Sequence, residues 1–221
     1  MCGRFSQIKA EADLKHYYLG DHQELPGYRP NYNAAPMQKM PVATIDGLEL
    51  MTWGLVPSWS KIFKPGFTSI NARSETAAEK PLYRTPFKKR RALIPASGFY
   101  EWQQRETFKQ PYYFQLPETD LFSFAGLYDV WYDEDQVPHK SFSILTTAPN
   151  DHMSGIHDRM PVILDKEEEA HWLDPDAKSE DLQLLLDPYD RHMLKHEVDR
   201  AVGNVKNNSP ELVEPLAQQA S

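Results

Sequence analysis

One cysteine, Cys2, is all that 221 residues contain, which excludes an intramolecular disulfide and any cysteine-cluster zinc site and fits a reducing compartment. No apolar run approaches the ~18 residues of a membrane span, and the first residues lack the basic-then-apolar pattern of a signal peptide. The expectation is a cytoplasmic protein with no membrane partner. Long helices are excluded too, because eighteen prolines are scattered along the whole length and each removes a backbone donor. There is no internal repeat, low-complexity linker or clear domain boundary. The chain therefore reads as a monomeric single domain over residues 1–210, with a weakly patterned tail over 211–221. His192 and His196 have the i,i+4 spacing of a helical metal pair, but no third ligand is evident, so no metal and no cofactor are expected.

Acid predominates, with a net charge of −8, which at first argues against nucleic acid. The distribution reverses that reading. Between Met51 and Gln110 eleven Lys or Arg face four acidic residues, a net +7 that leaves −15 for the rest. The densest stretch is Lys80, Arg84, Lys88, Lys89, Arg90 and Arg91, with no acid among them. Such a patch can steer and hold phosphates on an acidic protein. A solvated basic face is the plain alternative.

Cys2 stands directly after Met1. Methionine aminopeptidases remove Met1 before a small second residue, and removal would leave an α-amine beside a thiol. Their ordinary pKa values, about 7.7–8.0 and about 8.5, leave both partly active near neutrality. A 1,2-aminothiol captures aldehydes: the amine gives a Schiff base and the thiolate closes a five-membered thiazolidine. A frayed terminus with an irrelevant cysteine is the competing reading.

Periodicity predicts an amphipathic helix over Ser6–Tyr18, ended by Gly20, and a loop over Asp21–Pro36. Pro41–Ile45 and Leu48–Trp53 flank Asp46-Gly47 and read as a hairpin. Ser74 reads as the cap of a short helix. Ala92–Pro95 and Gly98–Trp102 read as strands joined by a tight turn. Tyr112–Leu116, Leu121–Tyr128 and Ser141–Thr147 suggest an antiparallel or mixed sheet curling toward a barrel. Asn150 could cap one helical turn, and Val162–Leu164 resumes as strand. Asp165 with Glu168 forms a capping box for a helix to Leu173, Ser179 caps another through Leu186, and His192–Val198 is a last strand or short helix.

Cys2, Asn71, Arg73, Glu101, His157 and Arg159 lie in separate segments flanked by turn signals, where functional groups collect. Singly, each has a bland explanation as a cap, surface charge or satisfied polar group. Glu101 is odd inside Phe99-Tyr100-Glu101-Trp102, where a carboxylate either faces solvent or has a raised pKa. Trp59, and less so Trp53, could stack on bases near the basic stretch, though a tryptophan is more often core.

Six motifs then occur in order: Met1-Cys2-Gly3-Arg4-Phe5, Asn33-Ala34-Ala35-Pro36, Trp53-Gly54-Leu55-Val56-Pro57, Asn71-Ala72-Arg73-Ser74-Glu75-Thr76, Pro95-Ala96-Ser97-Gly98-Phe99-Tyr100-Glu101-Trp102 and His157-Asp158-Arg159-Met160-Pro161. Together they resemble the SRAP (SOS-response-associated peptidase) family of abasic-site processing proteins. The resemblance implies an α+β fold around a barrel-like β core with short peripheral helices. It implies a protein that binds single-stranded DNA at an abasic site and crosslinks it as a thiazolidine through Cys2. By the same resemblance Asn71, Glu101 and His157 line the site with Cys2, and Arg4, Arg73 and Arg159 hold phosphates. The basic patch adds Lys88, Lys89 and Arg90 as DNA contacts, and Trp59 as a stacking platform.

A physical account fits these roles. An abasic deoxyribose is mostly a closed hemiacetal, so a general acid-base must open it; Glu101 with a raised pKa is the candidate. His157 can shuttle protons and could support weak lyase chemistry. Two alternatives remain: a thiol peptidase or autopeptidase using Cys2 and His157, and a non-covalent binder of modified single-stranded DNA.

Overall fold

The computed structural model of the chain describes residues 2–18 and 24–216. Its strands are β1 (Phe5–Gln7), β2 (Asn31–Ala34), β3 (Lys39–Thr44), β4 (Gly47–Trp53), β5 (Asn71–Arg73), β6 (Arg91–Ala96), β7 (Gly98–Gln104), β8 (Lys109–Gln115), β9 (Phe122–Tyr132), β10 (Pro138–Thr147), β11 (Met160–Pro161), β12 (Ile163–Leu164) and β13 (Leu194–Glu197). The helices are α1 (Glu11–Tyr17), α2 (Ser74–Ala77), α3 (Arg84–Lys89), α4 (Lys166–Leu173) and α5 (Ser179–Leu184). The strands make two sheets. One runs β13-β8-β7-β1-β2, and in the other β10, β4, β3, β6 and β9 pair in sequence, with β9 returning to β10. The second is a closed, mixed barrel, since β10 pairs parallel to β4 and antiparallel to β9. The fold is thus α+β, a barrel-like β core with short peripheral helices.

The period of two along the strands sorts the core. Ala92, Ile94, Phe122, Phe124, Phe142 and Ile144 join one cluster with Phe5, Phe99 and Phe114 of the other sheet. The alternate residues Leu93, Ala125, Leu127 and Leu145 pack with Leu14, Phe87 and Trp172 of the helices. With both faces covered, β9 is buried through Asp129. Among the described residues no helix is long and apolar enough to cross a membrane.

Local signals placed several elements and long-range pairing moved others. The hairpin forms, but Thr44 pairs with Gly47, so Ile45-Asp46 are its loop and Gly47, at φ 120°, begins the return strand. The Asp165–Glu168 capping box forms at α4, with the Asp165 amide donating to Glu168 Oε2 at 2.8 Å. The helix expected from Ser6 starts only at Glu11, because Phe5–Gln7 is claimed by antiparallel partners on both sides. Its expected stop, Gly20, lies outside the described residues, as do 21–23 of the expected loop. The rest of that loop contains β2. Ser74 and Ser179 are the first helical residues of α2 and α5 and not their caps, which fall on Arg73 and Lys178. His196 lies in β13, not on a helix with His192, and its Nε2 is 2.8 Å from the Val213 carbonyl. The expected tail from 211 instead begins within the 3-10 turn Pro210–Val213, where Leu212 is buried and packs with Tyr100 and Tyr113. Residues 217–221 lie outside the described residues.

Candidate functional site

Strand pairing carries the N-terminus to Glu101. Phe5 pairs with Phe99 and Ser6 with Gly98, and the Tyr100 amide donates to the Arg4 carbonyl at 3.0 Å. Continued antiparallel, Cys2–Arg4 runs alongside Tyr100–Trp102. Cys2 is fully buried and its sulfur accepts a hydrogen bond from the Arg4 amide. Burial, reinforced by the nearby Glu101 charge, pushes the thiol well above its ordinary range. Glu101 is 2% exposed, and burial raises its carboxyl to about 7. Glu101 lies two residues from Phe99 in β7, on the same face, so the alternation that buries Phe99 also turns Glu101 inward.

His157 comes from the segment between β10 and β11. The segment before it is a tight turn in which Asn150 Oδ1 accepts from the Met153 amide at 3.1 Å. His157 Nδ1 lies 3.0 Å from the Arg159 amide and 3.2 Å from the Arg159 carbonyl; the shorter contact, with the amide donating, corresponds to the neutral tautomer protonated on Nε2. That nitrogen lies 3.9 Å from Glu101 Oε2. A charged ring would instead turn Nδ1–H to Asp158 Oδ1, 3.1 Å away. Burial lowers the ring's pKa, favouring the neutral form.

Asp158 and Arg159 continue into a cavity of about 690 Å³, whose wall includes Trp59, Asn71, Arg73, Lys80 and Tyr83. Asn71 is placed by β5, which pairs parallel to β10 with Asn71 opposite Ile144, and by the Tyr83 hydroxyl, which donates to its carbonyl at 3.0 Å. Both polar atoms of the Asn71 side chain are buried without a hydrogen-bond partner among the described residues. Such an orphaned amide is costly to leave unsatisfied and keeps both a donor and an acceptor available at the cavity. A second cavity of about 620 Å³ is lined by Asp151, Asp165, Glu168, Asp187 and Asp190. Its charge repels phosphate, and none of the predicted site residues line it.

The cationic side chains divide. Arg73 is exposed and lines the cavity. Arg159 also lines it, but its guanidinium is paired with Glu75 and donates to the Thr146 carbonyl. Arg4, expected at a phosphate, donates to Asn33 Oδ1 at 2.7 Å and the Val202 carbonyl at 2.6 Å, tying the N-terminal segment to the C-terminal one. Lys88 and Lys89 are exposed at the end of α3, outside the cavity wall. Arg90 pairs with Asp129, and Arg91 is buried against the carbonyls of Phe87, Lys88, Trp172 and Asp174. Of the basic run 80–91, only Lys80 lines the cavity among the described residues. Counting charge could not reveal this, because the count ignores which cations already have internal partners.

Arg90 acts on the site indirectly. Asp129 receives Arg90 on one oxygen and the Ser58 amide, at 2.9 Å, on the other. With Val56 held by Ser141 Oγ and Ser60 held by Trp131 Nε1, each at 2.8 Å, this pins the loop that leaves Trp59 70% exposed at the cavity. Trp53 is core: fully buried, stacked on Phe142, and donating from Nε1 to the Ile70 carbonyl. Sequence reasoning named Lys80 only as part of the basic stretch and assigned no role to Glu75, Tyr83 or Asp129; of these three, only Glu75, inside the Asn71–Thr76 motif, carried any signal.

A family model described as SOS response associated peptidase (SRAP) matches residues 1–205. The abasic site processing protein YoqW of Bacillus subtilis (strain 168) is 44% identical over 223 residues, covering 97% of this chain and 99% of its own. The abasic site processing protein HMCES of Xenopus tropicalis is 34% identical over 224 residues, covering 83% of this chain and 65% of that protein. Among solved structures, a protein from Bacteroides thetaiotaomicron superposes with a TM-score of 0.88 at 30% identity, covering 97% of this chain and 100% of that one.

Proposed function

This chain belongs to the SOS response associated peptidase (SRAP) family, and from that premise we propose that it processes abasic sites in single-stranded DNA by capturing them covalently on Cys2 once Met1 has been removed. The observation that carries this reading is the burial of the Cys2 thiol beside Glu101, a carboxyl raised to about 7, with His157 Nε2 3.9 Å from that carboxyl. The names of the relatives support abasic-site DNA as the substrate.

With its pKa near neutrality, Glu101 is populated in both protonation states. It can take the anomeric hydroxyl proton and return one to the ring oxygen, opening the hemiacetal to the aldehyde. The Cys2 amine adds to C1′, and water leaves with protons relayed through His157 and Glu101, giving the imine. Sγ then bonds to the imine carbon while its proton ends on the ring nitrogen. The product is a thiazolidine, formed with net loss of one water. Asn71 orients the sugar or the amine in this reading, which the lack of side-chain partners among the described residues supports. Arg73, Lys80 and Arg159 position phosphates without reading sequence, and Trp59 stacks a base. If ring closure fails, His157 can remove a C2′ proton and eliminate the 3′ phosphate, a lyase-type reaction. Release of Met1 in cis by Cys2 and His157 is the second reading.

The test is incubation with a single-stranded oligonucleotide carrying one abasic site. A denaturation-resistant band that persists in high salt is expected, with an intact mass equal to the Met1-less protein plus DNA less one water. Cys2→Ala should abolish it. A shift that survives Cys2→Ala, or no adduct from protein lacking Met1, overturns the proposal. Binding that vanishes in high salt without an adduct would establish the non-covalent alternative.

A further inference from the structure

Arg159 is already occupied by an anion of the chain itself. Nη1 and Nη2 both donate to the Glu75 carboxylate, Nη2 at 2.9 Å. Nη2 also donates to the Thr146 carbonyl, and Nε is buried with no hydrogen-bond partner among the described residues. The two halves of the pair are unequal, the Arg159 side chain being 13% exposed and that of Glu75 51%. The guanidinium is fixed in the wall, whereas the carboxylate lies at the surface and can rotate into solvent. A phosphate offers the same two-oxygen edge as a carboxylate. It therefore meets this fork only where Glu75 now sits. The hydrogen bond from Arg159 keeps the Glu75 carboxyl below its ordinary range, so it stays anionic at neutral pH.

We propose that Glu75 is a specificity-determining residue, a built-in counter-ion that a DNA phosphate must displace from Arg159, so that intact single strands are held weakly and retention depends on reaction at Cys2. The inference rests on the reading of this cavity as a single-stranded DNA site. Engagement of Arg159 exchanges one ion pair for another, and the net gain from that phosphate is small. Arg73, whose charge also acts on Glu75, and Lys80 line the same cavity and supply the attraction that remains.

Fluorescence anisotropy with an undamaged single-stranded oligonucleotide, across a salt series, tests this on four variants beside the wild type: Glu75→Gln, Glu79→Gln, Arg159→Ala and Glu75→Gln with Arg159→Ala. Glu79 is exposed in the same segment and controls for loss of one negative charge. Glu75→Gln should tighten binding about three- to tenfold and steepen the salt slope by about 0.7, as for one further single-strand phosphate contact. Glu79→Gln should do less, and without Arg159 the gain should fall to no more than that of Glu79→Gln. No tightening, equal tightening by Glu79→Gln, or a full gain that persists with Arg159→Ala overturns the inference. Undamaged DNA carries no aldehyde, so the two readings fail separately. An affinity shift without adduct on abasic DNA overturns crosslinking alone, and a normal adduct without the shift overturns the role of Glu75 alone.

Discussion

His157 Nε2 and Glu101 Oε2 face each other across 3.9 Å, too far for a direct hydrogen bond and close enough for one reacting atom to touch both. The relationship matters because the carboxyl titrates near neutrality. Its folded-state pKa of about 7 lies above the ordinary 4.5. Protonated Glu101 therefore favours the fold, and the stability present below about pH 4.5 is lost as pH rises through 7, on the order of 3 kcal/mol. Glu101→Gln should abolish crosslinking and flatten this dependence. Above about pH 8 it should be more stable than wild type, and below about pH 4 the two should converge. Urea titrations across that range read the difference; parallel profiles would show that Glu101 has no raised pKa.

Cys2 is a nucleophile held in reserve. Burial and the Glu101 charge both disfavour its thiolate, and the side chain has no exposed surface. Native protein should react with iodoacetamide at least ~100-fold more slowly than free cysteine at the same pH. Guanidinium should restore the free rate. Fast alkylation of folded protein would contradict the buried placement.

Two tryptophans six residues apart, Trp53 and Trp59, should behave oppositely. Trp59→Ala should leave stability within about 0.5 kcal/mol of wild type while lowering single-stranded DNA affinity by about 1–3 kcal/mol. Trp53→Ala removes a buried ring that stacks on Phe142 and meets Phe5 edge-on, and should cost about 3–5 kcal/mol of stability. Thermal melts beside anisotropy separate the two, and a stability loss at Trp59 equal to that at Trp53 would refute the assignment.

What the sequence made legible was local. The capping box at Asp165, the hairpin around Asp46-Gly47 and the β-rich runs that became β8, β9 and β10 each depend on residues a few positions apart. What it hid depends on distant partners. β1 and β2 are strands because they pair across the N-terminal segment and with β7, which no window around Ser6 or Asn33 can show. Lys88, Lys89 and Arg90 read alike as cations, yet Arg90 is bound to Asp129, 39 residues away in sequence. Arg4 and Arg159 sit in motifs that marked them for phosphate, and both have acquired internal acceptors. Motif order identified the family; burial and pairing decide which cations remain available at the surface.

The pairing that brings Cys2 to Glu101 depends on one glycine. A Cβ on Gly98 would stand 2.2 Å from the ring and hydroxyl of Tyr113 and 2.7 Å from the Phe114 carbonyl. Neither can yield easily: Tyr113 is buried with its hydroxyl 2.7 Å from Ser6 Oγ, and Phe114 is held by its pairing with Phe99. Gly98→Ala must therefore push β7 away from β8 or from β1, at a cost of about 1–3 kcal/mol or more. Since β1 sets the position of Cys2, the substitution should also speed alkylation of the thiol and slow crosslinking under conditions where the variant remains folded. Thermal melts and iodoacetamide kinetics on the same preparation check both effects. A Gly98→Ala protein as stable and as well protected as wild type would mean that the β1–β7 contact does not set the position of the nucleophile.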